Sequence, residues 1–299
     1  SGGFQIFSLG HLQRLTDEAM TFQSHVDGSL HTMTPEEAIR NQERLGVDIL
    51  MALDQCLAFT EDREEVRRAV ERTTLWARRC REAWSGRGML FGILQGGIFP
   101  EEREASAQAV TALDFPGYAI GGLSVGESKA QMHATLELAC TLLPPDRPRH
   151  LLGVGSPEDL LEGVDRGVDF FDSTLPTRTA RNGGLYTRAG RINILNARFR
   201  KEPGPVEEGC DCPTCRGFSA AYLHHLFKSR ELLGLRLATL HNVRFTLRLL
   251  EEARVAIGEG RFQAFKETFL AGYRTVDEGV RAEQKERWIE ARQARGEEE

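Results

Sequence analysis

The stretch Val47-Asp48-Ile49-Leu50-Met51-Ala52-Leu53-Asp54 is mostly apolar and ends in an acidic residue. A short apolar run of this kind is typical of a strand buried on both faces of a parallel sheet. Ahead of it, Thr34-Pro35-Glu36-Glu37 has the pattern of a capping box with proline in the first helical turn, and Gly46 marks the end of that helix. These residues therefore predict a helix that leads into a buried parallel strand.

The same alternation of strand and helix continues as far as Asp172. Further apolar runs predict strands at residues 89–94, 118–120, 151–154 and 168–171, and helical patterns lie at residues 62–84, 101–113, 129–143 and from Ser156 onward. This rhythm is typical of an α/β chain that forms a (β/α)8 TIM barrel, whose chemistry lies at the carboxyl ends of its strands. Because only five units are visible, we expect the N-terminal strands to be missing from this chain.

The pattern changes beyond Asp172. Residues 173–209 are predicted as loop and short strands, and helices are predicted at residues 219–233, 240–257 and 261–273. We expect three parts: residues 1–200 as the barrel portion, residues 201–273 as a mainly helical part, and residues 274–299 as a charged tail.

Composition limits the possible classes of protein. The 299 residues are 40% hydrophobic and 27% charged, and no apolar run approaches the length of a membrane span. Cys56, Cys80 and Cys140 are scattered singly, which is not a disulfide framework, so reduced thiols and a cytoplasmic location are expected. The net charge of -6 argues against a general nucleic-acid binder, although arginines concentrate between residues 178 and 200.

Polar side chains end three of the predicted strands. Asp54 and Asp172 each follow an apolar run, and Gln95 follows a third. In a barrel these positions face the mouth, whereas the alternative is that each aspartate only caps the next helix. Acting together, an acid and an amide can bind a purine edge, and the second acid can attack a sugar carbon to give a covalent glycosyl-enzyme.

Two glycine-rich segments lie in the same region. Gly121-Gly122-Leu123-Ser124-Val125-Gly126-Glu127 could cradle a phosphate, but it lacks the lysine of a P-loop. The alternatives are a tight turn and a backbone that closely approaches a flat ligand. Gly153-Val154-Gly155-Ser156-Pro157-Glu158-Asp159 leads into a helix N-terminus, which either attracts phosphate or is simply capped.

Arginines follow Asp172 closely. The segment Thr177-Arg178-Thr179-Ala180-Arg181 is interpreted either as a solvated charged loop or as a contact to a phosphate or a base.

Three cysteines are crowded into Cys210-Asp211-Cys212-Pro213-Thr214-Cys215, and His241 follows in a predicted helix. Three thiolates and one imidazole complete the tetrahedral shell of one structural Zn²⁺ ion, with no open position for catalysis. His224-His225 is a rival source of the fourth ligand, and three incidental thiols are the alternative to a metal site.

Several motifs then occur in order along the chain: Ser1-Gly2-Gly3-Phe4-Gln5, Asp54-Gln55-Cys56, Gln95-Gly96-Gly97, the segment from Gly121 to Glu127, and Phe171-Asp172-Ser173-Thr174-Leu175-Pro176-Thr177-Arg178. With the cysteine and histidine set, they resemble the queuine tRNA-ribosyltransferase family, also called tRNA-guanine transglycosylases, in its bacterial type. The resemblance covers nearly the whole chain up to about Tyr273.

The resemblance implies a pentosyltransferase of queuosine biosynthesis. Such an enzyme exchanges the wobble guanine of tRNAs with a GUN anticodon for 7-aminomethyl-7-deazaguanine through a covalent enzyme–ribose intermediate. It implies Asp172 as the nucleophile and a cytoplasmic homodimer that binds tRNA, guanine and 7-aminomethyl-7-deazaguanine, with no membrane partner.

The resemblance also implies the residues that bind. The substrate contacts would be Ser1, Gly2, Gly3, Phe4, Asp54, Cys56, Gln95, Gly121, Gly122 and Leu123. The RNA contacts would be Gly153, Val154, Gly155, Ser156, Pro157, Glu158, Asp159, Thr177, Arg178, Thr179, Ala180 and Arg181. The zinc ligands would be Cys210, Cys212, Cys215 and His241.

The chain departs from the family pattern in places. The family's general acid/base is an aspartate directly before Ser-Gly-Gly, so a chain that starts at Ser1 is interpreted as an N-terminally truncated fragment, and one expectation is that it is inactive. Gln55 replaces an acid and Ser156 replaces a lysine, whereas Cys56 and Val125 match the bacterial pattern.

Two relatives of different function offer alternative interpretations of the chain. A non-catalytic RNA-binding subunit is disfavoured because Asp172 is retained, and an archaeal relative is disfavoured because the charged tail is too short for an added RNA-binding domain.

Overall fold

A computed structural model of the chain describes residues 13–24 and 26–275. These residues form two compact units. The first holds the described residues up to Gly155 together with Glu162–Ser173, and the second holds Ser156–Leu161 together with the described residues from Thr174 onward.

The first unit begins with a small antiparallel sheet that the sequence patterns did not predict. Its strands are β1 (Gln13–Leu15), β2 (Met20–Gln23) and β3 (Leu30–Met33), paired in the order β1-β2-β3. The three strands span only three or four residues each, which is too short for an alternating pattern to stand out.

A five-stranded parallel sheet is the centre of the first unit and confirms the predicted barrel rhythm. Its strands are β4 (Ile49–Met51), β5 (Met89–Leu94), β6 (Gly117–Ile120), β7 (Arg149–Leu151) and β8 (Phe170–Phe171). They pair in sequence order, with every pair parallel. The sheet corresponds to five of the eight strands of a (β/α)8 barrel, and the carboxyl ends of all five strands lie at one edge.

Helices separate these strands, as predicted. They are α1 (Pro35–Leu45), α2 (Arg63–Ala83), α3 (Pro100–Thr111), α4 (Lys129–Leu142) and α5 (Pro157–Asp165). The side chain of Thr34 accepts from the N–H of Glu37, and Asp62 caps α2 in the same way. Gly46 ends α1 at a φ of 70°, a conformation that favours glycine.

The core of this unit lies between the sheet and its helices. Leu50, Leu90 and Leu151 from three strands are fully buried, as is Trp76 of α2. The indole N–H of Trp76 donates to the carbonyl of Asp17 at 2.8 Å, so the polar end of this large side chain is also satisfied.

One strand lies earlier than the sequence pattern indicated. The apolar run at residues 151–154 predicted a strand, but β7 ends at Leu151. Gly153 has a φ of 76°, which is outside the β region, so the strand cannot continue through it. This turn places a backbone N–H beside Asp172, as described below.

The second unit is mainly helical. Its elements are α6 (Leu175–Arg181), β9 (Gly184–Thr187), β10 (Gly190–Asn193), a 3₁₀ turn (Ala197–Lys201), α7 (Pro213–Gly217), α8 (Ala220–Lys228), α9 (Leu232–Gly258) and α10 (Phe262–Gly272). The strands β9 and β10 lie in the region predicted to hold short strands, and they pair antiparallel.

Three predictions for this unit were wrong in detail. The helix predicted at residues 240–257 begins earlier, at Leu232. Residues 175–181 were predicted as loop, yet they form α6, with Pro176 in its first turn. The helix predicted at residues 219–233 ends at Lys228, because Arg230 takes a φ of 57° and breaks it. Among the described residues, no helix combines the length and the apolar character needed to cross a membrane.

Candidate active site and metal centre

The predicted site residues of the first unit lie at one edge of the parallel sheet. Gln95, Gly121 and Asp172 directly follow β5, β6 and β8, and Asp54 lies three residues beyond β4. Because the strands are parallel, these side chains emerge from their carboxyl ends.

Asp54 and Gln95 are in direct contact. The side-chain amide of Gln95 donates from Nε2 to Oδ2 of Asp54 at 2.7 Å, and both residues are buried, with 3% and 2% exposure. The backbone N–H of Gln95 donates to Oγ of Ser106 at 3.1 Å. A carboxylate, which accepts hydrogen bonds, is thus held beside an amide, which can both donate and accept them. Together these groups can bind the donors and acceptors along the edge of a purine.

Glycine is required at the next strand end by the space around Gln95. A Cβ on Gly121 would lie 2.6 Å from Nε2 of Gln95, and a Cβ on Gly122 would lie 2.4 Å from its Oε1. Gly122 also has a φ of 66°. The backbone therefore closely approaches Gln95, and a side chain at either position would displace it.

Arg103 on α3 is a site residue that the sequence reasoning missed. It is fully buried, and its guanidinium donates to four carbonyls: Gly97 at 2.9 Å, Leu94 at 3.1 Å, Gly121 at 2.9 Å and Gly122 at 3.4 Å. Burial lowers the pKa of Arg103 to about 10, so it stays charged at neutral pH. The signal was present, because Arg103 falls on the buried stripe of α3 with Ser106, Ala107 and Val110.

The amides of the Gly121–Glu127 segment argue against the phosphate alternative. The carboxylate of Glu127 accepts from the backbone N–H of Ser124, from that of Val125 at 3.0 Å and from that of Gly126 at 3.1 Å. An anion supplied by the chain itself occupies the place that a phosphate would need. The segment is therefore a turn held by its own acid.

A small cleft that is open to solvent adjoins Gln95 of the Asp54–Gln95 pair. Gln95 and Gly122 line it together with Gln55, Phe59, Val125 and Glu127. Its mixture of apolar walls and a few polar groups is typical of a small-molecule site.

Cys56 follows directly in the chain. Burial raises the pKa of its thiol to about 12, and the nearby charge of Asp54 adds to this effect. The thiol is therefore neutral at pH 7 and is suited to packing rather than to nucleophilic attack.

Gln55 is held away from the Asp54–Gln95 pair. Its Oε1 accepts from Nη1 of Arg72 at 2.7 Å, and Nε of Arg72 donates to Asp17 at 3.0 Å. An acid at position 55 would pair with this arginine, and the amide keeps the hydrogen bond without the charge.

Asp172 is half-exposed and is held through one oxygen. Its Oδ1 lies 3.0 Å from Nε2 of His150 and accepts from the backbone N–H of Gly153 at 3.2 Å. Burial by itself raises the pKa of Asp172, but the hydrogen bonds from His150 and Gly153 outweigh that effect, so the pKa lies below its usual value. The carboxylate is ionised at neutral pH, as a nucleophile must be.

The proposed RNA segments differ in what they expose. In the second unit, Arg178 and Arg181 are exposed on α6, whereas Thr179 and Ala180 are buried. At the start of α5, Oγ of Ser156 donates to Asp159 at 2.6 Å and accepts from its N–H at 3.4 Å, which is a capped helix end. Ser1, Gly2, Gly3 and Phe4 lie outside the described residues.

Within the second unit, the predicted metal ligands come together. Ligand atoms of Cys210, Cys212, Cys215 and His241 all lie within 4.8 Å of one another. Nδ1 of His241 is 3.8 Å from the sulfur of Cys210, 3.6 Å from that of Cys212 and 3.4 Å from that of Cys215. Nε2 of His241 lies 2.7 Å from the carbonyl of Tyr186, so the ring donates there and turns Nδ1 toward the thiols.

This donor set fits a divalent metal ion. A hydrogen bond from Cys215 lowers the pKa of Cys212 to about 3, and the same bond raises the pKa of Cys215. The thiolate favoured at Cys212 is the form that a metal ion binds, and metal binding would displace the proton from Cys215. The rival His224 is engaged elsewhere, because its Nδ1 lies 2.7 Å from the carbonyl of Ile194.

Side chains around the cysteines fix their loop to α9. Arg244 bonds both carboxylate oxygens of Asp211 at 2.8 Å, and Thr214 donates to the carbonyl of Leu237 at 2.7 Å. The three cysteines therefore lie on a segment that is hydrogen-bonded to α9, and His241 lies on α9 itself. A fixed set of four protein ligands is typical of a structural metal centre.

Comparison with known proteins agrees with this geometry. The family model for queuine tRNA-ribosyltransferase matches residues 1–275. A queuine tRNA-ribosyltransferase of Dehalococcoides mccartyi is 50% identical over 293 residues, which are 98% of this chain and 75% of that protein.

Other relatives give the same result. The protein of that name from Symbiobacterium thermophilum is 52% identical over 90% of this chain and 68% of its own length. The one from Desulfosudis oleivorans is 54% identical over 91% of this chain and 72% of its own length. The chain therefore belongs to the queuine tRNA-ribosyltransferase family.

Proposed function

We propose that this chain exchanges the wobble guanine of tRNAs with a GUN anticodon for 7-aminomethyl-7-deazaguanine, with Asp172 as the nucleophile. Membership of the family makes it a pentosyltransferase that acts on tRNA in queuosine synthesis. The observation that carries the residue assignment is an ionised carboxylate, Asp172, at the same sheet edge as the buried Asp54–Gln95 pair.

Recognition of the base rests on the buried pair. Asp54 would accept from the ring N–H and the exocyclic amine of guanine, and the Gln95 amide, which has a second N–H beyond the one given to Asp54, would donate to the carbonyl oxygen. The backbone of Gly122 and Leu123 would contact the same flat ring, since Gly122 approaches Gln95 closely. Gly121 and the neutral thiol of Cys56 would complete the pocket wall.

The exchange then proceeds through the ribose. The carboxylate of Asp172 attacks C1′ as the bond between C1′ and the departing guanine breaks, and the electron pair of that bond leaves with the base. The incoming 7-aminomethyl-7-deazaguanine attacks the same carbon, and the carboxylate is released with the electron pair. The proton that the outgoing base gains is balanced by the one that the incoming base loses.

Contacts to the RNA would come from the two segments named above. Arg178 and Arg181 are one turn apart on α6 and exposed, which suits phosphate or base contact. Other contacts are predicted from the family resemblance alone. To RNA they are the turn from Gly153 to Asp159 and the remaining residues of Thr177–Arg181. To the substrate they are Ser1, Gly2, Gly3 and Phe4.

The metal is proposed to be one structural Zn²⁺ ion. Cys210, Cys212, Cys215 and His241 would hold it, because three thiolates and an imidazole are a preferred zinc set. All four positions would be filled by protein ligands, so the ion would stabilise the fold of the second unit and take no part in the exchange.

The remaining proposals follow from family membership. A homodimer and a cytoplasmic location are proposed on that basis. We likewise propose that residues 1–200 carry the catalytic and base-binding residues, that residues 201–273 bind the metal, and that residues 274–299 form a charged tail.

The test is trapping of the covalent species. In the full-length protein incubated with tRNA, Asp172→Asn should abolish a denaturation-resistant enzyme–tRNA species and the exchange of labelled guanine. Asp48→Asn is the matched control, because Asp48 is exposed and precedes β4 at the opposite end of the sheet. Persistence of the trapped species in Asp172→Asn would show that another group is the nucleophile, and tRNA binding without exchange in the wild type would favour a non-catalytic RNA-binding subunit.

A further inference from the structure

His150 lies against the proposed nucleophile and has no part in the mechanism above. It is in the middle of β7, its side chain is 14% exposed, and its Nε2 lies 3.0 Å from Oδ1 of Asp172. The backbone N–H of Gly153 donates to the same oxygen at 3.2 Å. Both contacts are made within the first unit.

We propose that His150 is a positioning residue that holds Oδ1 of Asp172, so that Oδ2 is the oxygen that bonds to ribose C1′. The inference rests on the proposed function, because it takes Asp172 as the nucleophile. Two donors on one oxygen make the two oxygens of the carboxylate unequal: Oδ1 is engaged, and Oδ2 is left to approach the substrate.

The tautomer of His150 follows from its partner. An ionised carboxylate only accepts hydrogen bonds, so Nε2 must carry the proton that it gives to Asp172. Nδ1 is buried and has no hydrogen-bond partner among the described residues. Within that part of the chain, His150 therefore has no group to which it could relay a proton, and it is a fixed donor rather than a general acid or base.

The ring is held in place by its strand. His150 is in register with Ala119 of β6 on one side and with Phe170 of β8 on the other. The ring of Phe170 lies 6.3 Å from the imidazole, between centroids, and Phe170 also meets Phe91 edge-on at 6.3 Å. The His150 side chain therefore projects from a strand that is paired on both sides. A donor on such a fixed strand can hold the half-exposed carboxylate of Asp172 in one orientation.

The same two donors serve both halves of the exchange. As the Oδ2–C1′ bond forms and the C1′–N9 bond of guanine breaks, Oδ1 becomes the carbonyl oxygen of the ester. When N9 of the incoming base attacks C1′, the C1′–Oδ2 bond breaks and its electron pair returns to the carboxylate. Charge then reappears on the carboxylate, where His150 and Gly153 stabilise it at Oδ1.

The experiment compares His150→Phe, which keeps a ring of similar size but removes the donor, with His150→Gln, whose amide nitrogen can donate from nearly the same place. Rates of covalent enzyme–tRNA formation and of its breakdown with added guanine are measured in the full-length protein. In His150→Phe, breakdown should slow about 10- to 100-fold, because the departing carboxylate loses one charge-assisted hydrogen bond. Formation should also slow, because Oδ2 is no longer directed at C1′. The KM for tRNA should change less than about two-fold, and His150→Gln should recover most of the rate.

The control is His133→Phe, which changes a half-buried histidine on α4, away from the strand ends. It should react as the wild type does. Wild-type rates in a folded His150→Phe protein would overturn the inference while leaving the proposed function intact, whereas persistence of the covalent species in Asp172→Asn would overturn the proposed function itself.

A second measurement holds even if His150→Phe does not fold. In a crystal structure of the trapped wild-type complex, C1′ should be bonded to Oδ2, with His150 Nε2 still within hydrogen-bond distance of Oδ1. An ester at the oxygen that faces His150 would contradict the assignment.

Discussion

Gln95 donates to Asp54 across 2.7 Å, and this buried pair links two neighbouring strand ends of the parallel sheet. Because each side chain limits where the other can point, substitution of one partner should disturb both. The pair is therefore the natural place to test base recognition separately from chemistry at the ribose.

Asp54→Asn should weaken guanine binding. The amide cannot accept as the carboxylate does, and its NH₂ group opposes the donor of Gln95. We expect kcat/KM for guanine to fall about 10- to 100-fold, which is the cost of a charge-assisted hydrogen bond. Exchange assays at varied guanine concentration measure this, with Asp48→Asn as the control. An unchanged kcat/KM would remove Asp54 from the base pocket.

Gly122→Ala should damage the same pocket from the other side. The added Cβ would meet Oε1 of Gln95 at 2.4 Å, and alanine is strained at a φ of 66°. We expect a loss of stability of about 1–3 kcal/mol and weaker guanine binding.

The control for that change is Gly258→Ala at the end of α9. Nothing lies within 4 Å of its added Cβ and its φ is not positive, so denaturant unfolding should show no loss of stability. Equal effects of the two glycine substitutions would contradict the close-approach argument.

Arg103→Met should destabilise the first unit. The substitution removes the donors to four carbonyls at the strand ends, and each buried acceptor left unpaired costs about 1–3 kcal/mol if water cannot reach it. Urea unfolding should show a loss on the order of 3 kcal/mol, whereas Arg78→Met on the exposed face of α2 should stay within about 0.5 kcal/mol of the wild type. A stable Arg103→Met protein would mean that water replaces the guanidinium.

Metal content should depend on His241 and not on its rivals. Cys212→Ser and His241→Ala should lose the bound metal in elemental analysis and unfold at lower temperature, because the ligand shell is broken. His225→Ala changes an exposed residue of α8 and should retain one equivalent of metal. Full metal retention in His241→Ala would reassign the fourth ligand, and a metal other than zinc in the wild type would correct the identity of the ion.

Local patterns predicted much of the sheet and the metal cluster. The apolar run at residues 89–94 coincides with β5, because glycine and polar residues bound it on both sides. The spacing of Cys210, Cys212 and Cys215 indicates a metal site without knowledge of the fold, because thiols that are neighbours in the sequence must also lie close in space.

What the patterns missed depends on tertiary contacts. By its sequence, Arg103 resembles a solvent-exposed helix residue, but in the structure four carbonyls from the end of β5 and from the two segments that follow β5 and β6 surround it. The segment of α6 resembles a loop in sequence, because arginine and threonine supply four of its seven residues and it contains a proline. Its stability comes from burial of Pro176, Thr179 and Ala180, which composition does not reveal.

The most direct measurement identifies the residue that carries the ribose. Wild-type protein is trapped with tRNA, digested with nuclease and protease, and the modified peptide is sequenced by mass spectrometry. The account predicts a pentose ester on Asp172, within the peptide that contains Phe171 and Ser173. An ester on Asp54 or on any other carboxylate would contradict it.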